Sequence, residues 1–189
     1  MPMDYVISVM SLDRVGIVAG LTEAVMELNG SIDAISQTVL QGYFTIIVAA
    51  RFDEEVAPEA LVAAVRAKGA PGELEVSVQA RRPVEARPVV PDAQRFILTV
   101  SGPDRKGVIH RISSYLASRS INVEDLYAYR DGPRFVLLAQ VQVPPDQELE
   151  RLQMDVASLW SAGDMQVTLQ HENIFLATTN VDFRQGPPT

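Results

Sequence analysis

The apolar residues in the first half of the chain change their spacing several times, and each change predicts a new element. A β-branched and aromatic run from Tyr5 to Met10 predicts a strand. Apolar residues three or four positions apart then predict a helix that Gly30 closes. The first half therefore predicts, in order, strand Tyr5–Met10, helix Val18–Leu28, strands Ile32–Leu40 and Phe44–Phe52, helix Glu59–Lys68 and strand Leu74–Gln79.

The second half of the chain repeats this pattern at a constant offset of 91 residues. The offset places Asp13-Arg14-Val15-Gly16 on Asp104-Arg105-Lys106-Gly107 and keeps the apolar positions of 5–79 and 96–170 in register without an insertion. A match of this length indicates a tandem duplication. The second copy predicts strand Phe96–Ser101, a helix from Ile109 to near Ser120, strands Val123–Arg130 and Phe135–Val143, helix Gln147–Trp160 and strand Met165–Gln170.

The order of elements in each copy is βαββαβ. Right-handed crossovers and two helices on one sheet face predict an α+β fold, a ferredoxin-like sandwich present twice. We predict a first domain over 1–80, a proline-rich linker over 81–94, a second domain over 95–172, and a C-terminal extension and tail over 173–189.

Two apolar segments predict further packing. Both sides of the strand Phe44–Ala50 are apolar, so we expect the sheet face away from the helices to be covered by the other copy or by another subunit. The segment Ile174–Ala177 is also apolar and has no counterpart in the first copy. We expect it to pack against one of the domains or against a second subunit.

Charge and composition narrow the range of functions. The 16 basic and 24 acidic residues give a net charge of −8, which disfavours direct binding to nucleic acid or to an anionic membrane. The chain has no Cys and only two His, so thiolate chemistry is excluded and no metal site is expected. Common catalytic motifs, a signal peptide and an apolar run of membrane-spanning length are absent from the sequence. We therefore expect a soluble, cytoplasmic, non-enzymatic protein without a cofactor.

The duplicated loop between the first strand and the first helix carries the most informative motif, Asp-Arg-x-Gly. Unpaired N–H groups and the helix dipole at such a position favour a carboxylate or phosphate. A glycine there lets the backbone approach a ligand or a neighbouring chain closely. The structural alternative is that Asp13 and Asp104 cap the helices, while Gly16 and Gly107 serve only packing.

This loop, the amphipathic helix after it and a second strand that opens on Ile121-Asn122-Val123 together resemble the ACT domain. ACT domains are small ferredoxin-like regulatory modules that bind amino acids and similar ligands. Two such units joined by a short linker resemble, over 5–170, the glycine cleavage system transcriptional repressor group. The resemblance implies a non-enzymatic regulatory protein that binds a small amino acid or related carboxylate.

The resemblance also implies which residues hold the ligand: the loop, and a polar residue where the second strand begins. The candidate ligand-binding residues are Leu12, Asp13, Arg14, Val15, Gly16, Ile17, Ser31, Pro103, Asp104, Arg105, Lys106, Gly107, Val108 and Asn122. Ser31 stands in the first copy where the second has Asn122, so the first site is expected to differ in strength or selectivity. We expect a homo-oligomer that controls transcription or an amino-acid metabolic enzyme through a protein partner. A structural pairing module without a ligand is the alternative.

Overall fold

The computed structural model describes residues 3–82, 93–160 and 163–178. The chain divides into two compact units, 1–87 and 88–189, and each is described by itself. Most of the predicted linker (81–94), and all of the tail predicted from Asn180 to Thr189, lie outside the described residues. No helix within the described residues is both long and apolar enough to cross a membrane.

The first unit has the predicted order βαββαβ. Its four strands form one antiparallel sheet in the order β2-β3-β1-β4. The elements are β1 (Met3–Leu12), α1 (Ile17–Glu27), β2 (Gly30–Leu40), β3 (Tyr43–Phe52), α2 (Pro58–Arg66) and β4 (Glu75–Ala80).

The second unit repeats this topology with the sheet order β6-β7-β5-β8 and adds one short helix after the last strand. Its elements are β5 (Gln94–Pro103), α3 (Val108–Ser118), β6 (Asn122–Asp131), β7 (Arg134–Val143), α4 (Leu149–Ala157), β8 (Gln166–His171) and α5 (Glu172–Thr178). The prediction of two ferredoxin-like α+β sandwiches is therefore confirmed.

In each unit the hydrophobic core lies between the sheet and its pair of helices. Ile7 and Val48 are paired across β1 and β3 and are fully buried in the same cluster as Leu21 of α1 and Leu61 of α2. The second core has the same construction and includes Trp160, the single tryptophan of the chain. Successive strand residues point to opposite faces of a sheet, so alternate residues of each strand are buried under the two helices.

The sheet face away from the two helices, called here the outer face, differs between the units. The outer face of β5 includes Ile97, which is 1% exposed although it lies outside the main core cluster. Helix α5 contacts β5 and β8, its Phe175 is buried, and its Glu172 accepts a hydrogen bond of 2.7 Å from the outer-face Gln140. The apolar segment around Ile174 thus covers part of its own sheet, as one of the predicted alternatives stated.

The outer face of the first sheet has no such cover among the described residues. Ile47 on β3 is 56% exposed, and Met10, Leu12 and Tyr43 are also exposed. The prediction that another copy or subunit covers this face stays a prediction.

The second strand of each unit lies at the edge of its sheet and carries an irregularity at the same place. The register of β2 against β3 shifts between Ile32 and Ala34, and that of β6 against β7 shifts between Val123 and Asp125. These shifts are equivalent under the offset of 91, and each has the form of a β-bulge, in which one extra residue is inserted into a strand.

Two of the predicted helices have wrong bounds. Gly30 does not close the first helix, because Asn29 takes the left-handed conformation (φ 56°) and Gly30 already begins β2. The helix predicted over Gln147–Trp160 is shorter, Leu149–Ala157. Its start is delayed because the Gln147 N–H closes a turn onto the Pro144 carbonyl.

Candidate functional site

The Asp-Arg-x-Gly loop brings a left-handed glycine to the N-terminus of the following helix in both units. Gly16 has φ 97° before α1, and Gly107 has φ 83° before α3. Only glycine takes this conformation without strain. A Cβ at Gly107 would meet nothing within 4 Å, so conformation rather than packing requires the glycine and the space above it is open.

The proposed capping role of Asp13 and Asp104 is wrong, because the glycines occupy the N-cap positions and no side chain caps either helix. The Asp13 N–H donates instead to the Gly42 carbonyl at 2.8 Å, and the Asp104 N–H donates to the Pro133 carbonyl at 3.4 Å. The Asp104 carboxylate also lies 2.7 Å from Nη2 of Arg130. Each loop is thus fastened to the adjacent hairpin turn.

The arginine of the motif holds the other side of the loop. Arg14 donates from Nε and Nη2 to the two carboxylate oxygens of Glu73, and Arg105 Nη1 lies 2.8 Å from Oδ2 of Asp164. The hydrogen bond from Arg14 lowers the pKa of Glu73, and the same bond raises the pKa of Arg14. These arginines are predicted ligand contacts, yet each is engaged by an acid of its own unit.

Glu73 and Asp164 are the residues that sequence reasoning missed. They precede the last strand of each unit and are equivalent under the offset of 91. A repeated acid across from a repeated arginine was therefore visible in the alignment of the two copies. The topology that brings them together was not visible there.

The remaining loop residues divide into buried and exposed side chains. Ile17 and Val108 are buried in their cores, so only their backbone can face a ligand. The side chains of Leu12, Val15, Pro103 and Lys106 are exposed. Within the described residues, the N–H groups of Val15, Gly16, Lys106 and Gly107 donate to no backbone carbonyl. Each unit therefore presents N–H donors at a helix N-terminus, where they attract anions.

Ser31 and Asn122 do not join these loops within their own unit. Pro103, at the loop end of β5, is paired with Arg134, whereas Asn122 is paired with Gln142 at the far end of β7. These two ends of the strand are about 26 Å apart at the usual rise per residue. Ser31 lies at the corresponding far end of the first sheet, opposite Arg51. One unit alone therefore does not bring both predicted parts of a site together.

The surroundings of the two polar residues differ in charge. Arg51, beside Ser31, pairs with Asp4 at 3.1 Å and with Asp33 at 3.4 Å. Gln142, beside Asn122, donates to Glu124 at 2.6 Å, and Glu124 lies 2.8 Å from Arg95. A cation therefore lies on the strand next to Ser31, whereas a neutral amide lies next to Asn122.

A metal site was not expected from the sequence, and the structure offers no candidate for one among the described residues. Over 3–82, 93–160 and 163–178, no three His, Asp or Glu side chains are grouped so that they could hold a metal ion. The two loops and the two strand starts thus remain the candidate site.

Two tandem sandwiches with a repeated glycine loop define a class of regulatory domain. The ACT domain family model matches the chain twice, over 4–79 and 94–170. These two matches span most of the chain, and the chain belongs to the ACT domain family.

A UPF0237 protein of Methanosarcina acetivorans is 41% identical over 84 residues, which are 44% of this chain and 91% of that relative. An unknown protein from Galdieria sulphuraria has a similar structure, with a TM-score of 0.71 and 22% identity over 90% of this chain and 99% of that one. A protein provisionally described as a glycine cleavage system transcriptional repressor has a TM-score of 0.64 and 20% identity, over 90% and 97% of the two chains. Both solved structures share the tandem fold.

Proposed function

We propose that this chain is a non-enzymatic regulatory protein that binds a small amino acid or a related carboxylate. The observation that carries the proposal is the left-handed glycine at the same helix N-terminus in both units, with free N–H donors beside it and with open space above Gly107. Membership of a family of regulatory domains supports the same conclusion. With a net charge of −8, the chain regulates transcription or an amino-acid metabolic enzyme through a protein partner rather than by contacting DNA.

The site in this proposal is completed by a second copy of the chain. Because β2 and β6 are edge strands, each offers unpaired backbone groups to another strand. Antiparallel pairing of β6 with the β6 of a partner around a two-fold axis reverses the strand, so Asn122 of one copy approaches the hairpin end of the other. The hairpin end is where the Asp104 N–H fastens the loop. A homodimer of this kind therefore brings together the two parts that one unit keeps apart.

Each part of the proposed site has a distinct role toward the ligand. The N–H groups of Lys106 and Gly107, with the dipole of α3, hold the carboxylate. The Asn122 amide of the partner copy both donates and accepts, and so it recognises the remaining polar groups of the ligand. The first repeat offers the same loop but only a hydroxyl at Ser31, beside the guanidinium of Arg51. We expect its site to be weaker or differently selective.

Calorimetry of the full chain with each of the twenty amino acids tests binding directly. Gly107→Val places a side chain over the N–H donors and should abolish binding at the second-repeat site. Asn122→Ala leaves a ligand group unpaired and should cost roughly 1–3 kcal/mol, or about 5- to 150-fold in affinity. Ser31→Ala is the matched control and should leave that site unchanged.

Mixing the two variants tests whether the site is shared between chains. An equal mixture of Gly107→Val and Asn122→Ala chains that exchange freely forms heterodimers with one site intact and one site doubly altered. We expect about a quarter of the wild-type second-repeat sites to return. A mixture without recovery would place both parts of the site in one chain and contradict the shared site.

A structural pairing module without a ligand is favoured by one observation, the engagement of Asp104 and Arg105 by Arg130 and Asp164. A loop used only for packing has its charged groups satisfied in this way. Absence of binding for all twenty amino acids, with a dimer that still forms, would favour this second function.

A further inference from the structure

The outer face of the first sheet holds a depression of about 690 Å³ centred on β1. A volume of this size is in the range of small-molecule sites. Its lining includes side chains from three neighbouring strands and from the end of α2: Ser8, Met10, Ile47, Glu75, Ser77 and Arg66. The depression thus combines apolar groups, hydroxyl groups and one charge of each sign.

The strand register gives this depression a charged side and an apolar side. Met10 lies in the middle, on β1, directly opposite Glu75 of β4. Ile47 lies beyond β1, on β3, and is 56% exposed. Because neighbouring strands are about 5 Å apart, the strand of Glu75 and the strand of Ile47 are separated by about 10 Å. A small ligand with a charged end and an apolar end matches this division.

Arg66 supplies a cation on the charged side. It is the last residue of α2, which contacts β4 from the core side of the sheet. Because β4 is an edge strand, the long arginine side chain reaches around that edge and lines the depression together with Glu75.

Arg66 and Glu75 are not neutralised within the part of the chain that the structure describes. Both residues are exposed, and neither side chain forms an ion pair or a hydrogen bond with a described residue. In contrast, Arg14, Arg51 and Arg81 of the same unit are each paired with a carboxylate. The depression therefore offers a cation and an anion that are both available to a ligand.

The second repeat lacks both charges at the equivalent positions. The offset of 91 places Ala157 and Gln166 where the first repeat has Arg66 and Glu75. The fold is therefore compatible with a neutral surface here. The two charges occur together in one repeat and are absent together from the other, as expected for groups that act on the same ligand.

We propose that this depression binds a free amino acid with an apolar side chain, at a site that does not involve the glycine loops. The guanidinium group of Arg66 binds the carboxylate of the ligand, because its planar donors match a carboxylate in geometry. The carboxylate of Glu75 binds the ammonium group, which also donates to the Ser8 hydroxyl. The apolar side chain of the ligand lies over Met10 and Ile47.

The pair of charges makes the site selective for zwitterions. A simple carboxylate bound at Arg66 would face the like charge of Glu75, and a simple amine bound at Glu75 would face that of Arg66. Like charges disfavour binding of both kinds of molecule. The site therefore goes beyond the proposed function, in which the loops also accept related carboxylates.

Methyl NMR of the full chain tests the site directly, because two residues of its lining carry methyl groups. The probe is L-leucine, added to protein with labelled Met and Ile methyl groups. We expect saturable shifts of the Met10 and Ile47 signals, whereas the signal of Met154, exposed on α4, should not move. 4-Methylpentanoate lacks the ammonium group and L-leucinamide lacks the carboxylate, so each should bind at least about tenfold more weakly.

Variants then test the two charged groups. Arg66→Gln and Glu75→Gln should each weaken leucine binding at least about tenfold, because one charged group of the ligand loses its partner. Arg151→Gln and Glu59→Gln, at exposed helix positions outside the depression, are the matched controls and should leave binding unchanged. Circular dichroism checks that all four variants fold. Wild-type binding by either charge variant, or no shift of Met10 and Ile47 with leucine, would overturn the proposal.

Two further results separate this site from the other interpretations of the chain. If the Met10 and Ile47 signals change with protein concentration and not with leucine, this face joins copies of the chain and the proposed site is wrong. Gly107→Val, which should abolish the second-repeat loop site, should leave the leucine shifts of Met10 and Ile47 as they are. If it abolishes them, they report the loop site instead. The two binding proposals therefore fail separately.

Discussion

The two repeats fill the same corner of their cores with different pairs of residues. In the first repeat, a Cβ on Gly30 would lie 2.4 Å from the ring of Phe52, so the ring occupies the space that a side chain would need. In the second repeat, the equivalent positions are Ile121 and Val143, and both are buried in the core. The first repeat has a small residue at Gly30 and a large one at Phe52, whereas the second has a larger residue at Ile121 and a smaller one at Val143. Core volume is thus conserved over the pair and not at each position.

The contact between the two helices of each unit also differs between the repeats. In the first repeat, Ala24 is buried and Ala64 and Leu28 pack against the core, and α1 lies against α2. The equivalent residues of the second repeat are Tyr115, Asp155 and Arg119. The Tyr115 hydroxyl and Arg119 Nη2 each donate to the Asp155 carboxylate at 2.8 Å. One repeat joins its helices by small apolar residues, whereas the other uses a polar triad that spans a wider gap.

The largest expected effect comes from placing the second-repeat residue in the first-repeat corner. Gly30→Ile should destabilise the first unit by about 3 kcal/mol or more, because even its first added carbon overlaps Phe52. Adding Phe52→Val should recover at least half of this loss, since the pair then matches Ile121 and Val143. Hydrogen exchange of the β1 and β3 amides measures both. If the double variant is no more stable than Gly30→Ile, the two positions do not compensate.

Removing the cover of the second sheet should have the next largest effect. Phe175→Ala exposes Ile97 and should destabilise the second unit by about 2–3 kcal/mol, near the lower range for a buried phenylalanine because α5 is short and peripheral. Trp160 is the only tryptophan and lies in the second core, so its fluorescence reports unfolding of this unit alone. An unchanged denaturation midpoint would show that α5 contributes nothing to the stability of the sheet.

The polar triad of Tyr115, Arg119 and Asp155 should contribute less to the free energy of unfolding of the second unit. Tyr115→Phe removes one hydrogen bond to Asp155 and should cost about 1 kcal/mol, again read from Trp160. Burial, followed by the bond to Asp155, raises the pKa of Tyr115, so the contribution is complete below about pH 10 and is lost as the pH rises through the raised value. The same substitution in an Asp155→Ala background should have little further effect. An equal cost in both backgrounds would contradict the assigned bond.

The smallest expected effect concerns the Arg14–Glu73 ion pair, which ties the loop of the first repeat to the residue before β4. Because Arg14 lowers the pKa of Glu73, the tie is complete above the ordinary carboxyl pKa and is lost as the pH falls through the lowered value. Glu73→Gln should therefore speed hydrogen exchange of the Asp13 N–H at neutral pH. The Asp104 N–H is an internal control, since its loop is tied by Asp164. Equal changes at both amides would contradict a local role for Glu73.

Much of this architecture could be predicted from the sequence because the same fold is encoded twice, and the two copies could be compared position by position. The strands were predictable because β-branched and aromatic runs such as Tyr5–Met10 favour an extended backbone, and the loop glycine was predictable because it recurs. The end of α1 was misjudged because two residues, Asn29 and Gly30, both suit a left-handed position, and packing against Phe52 decides between them.

The site was less predictable for a physical reason. The loop and the strand start are separated in the sequence only by α3, yet α3 carries the chain along the sheet to its opposite end. Local spacing therefore says nothing about whether Gly107 and Asn122 meet. The packing of the segment Ile174–Ala177 was predicted from its apolar residues, but its place on the outer face was not, because the first repeat has no counterpart from which to infer it.

The matching bulges in β2 and β6 bear on how many chains can associate through these edge strands. A long exposed edge strand is a template on which chains add one after another into fibrils. The shift at Ile32/Ala34 and its equivalent at Val123/Asp125 interrupt the hydrogen-bonding row after the first residues of each edge. An incoming strand then finds only the segments 34–40 and 125–131 straight enough to pair with. The bulge thus favours pairing of two chains into a closed dimer over open-ended fibril growth. A substitution that removed the bulge would raise the tendency to aggregate.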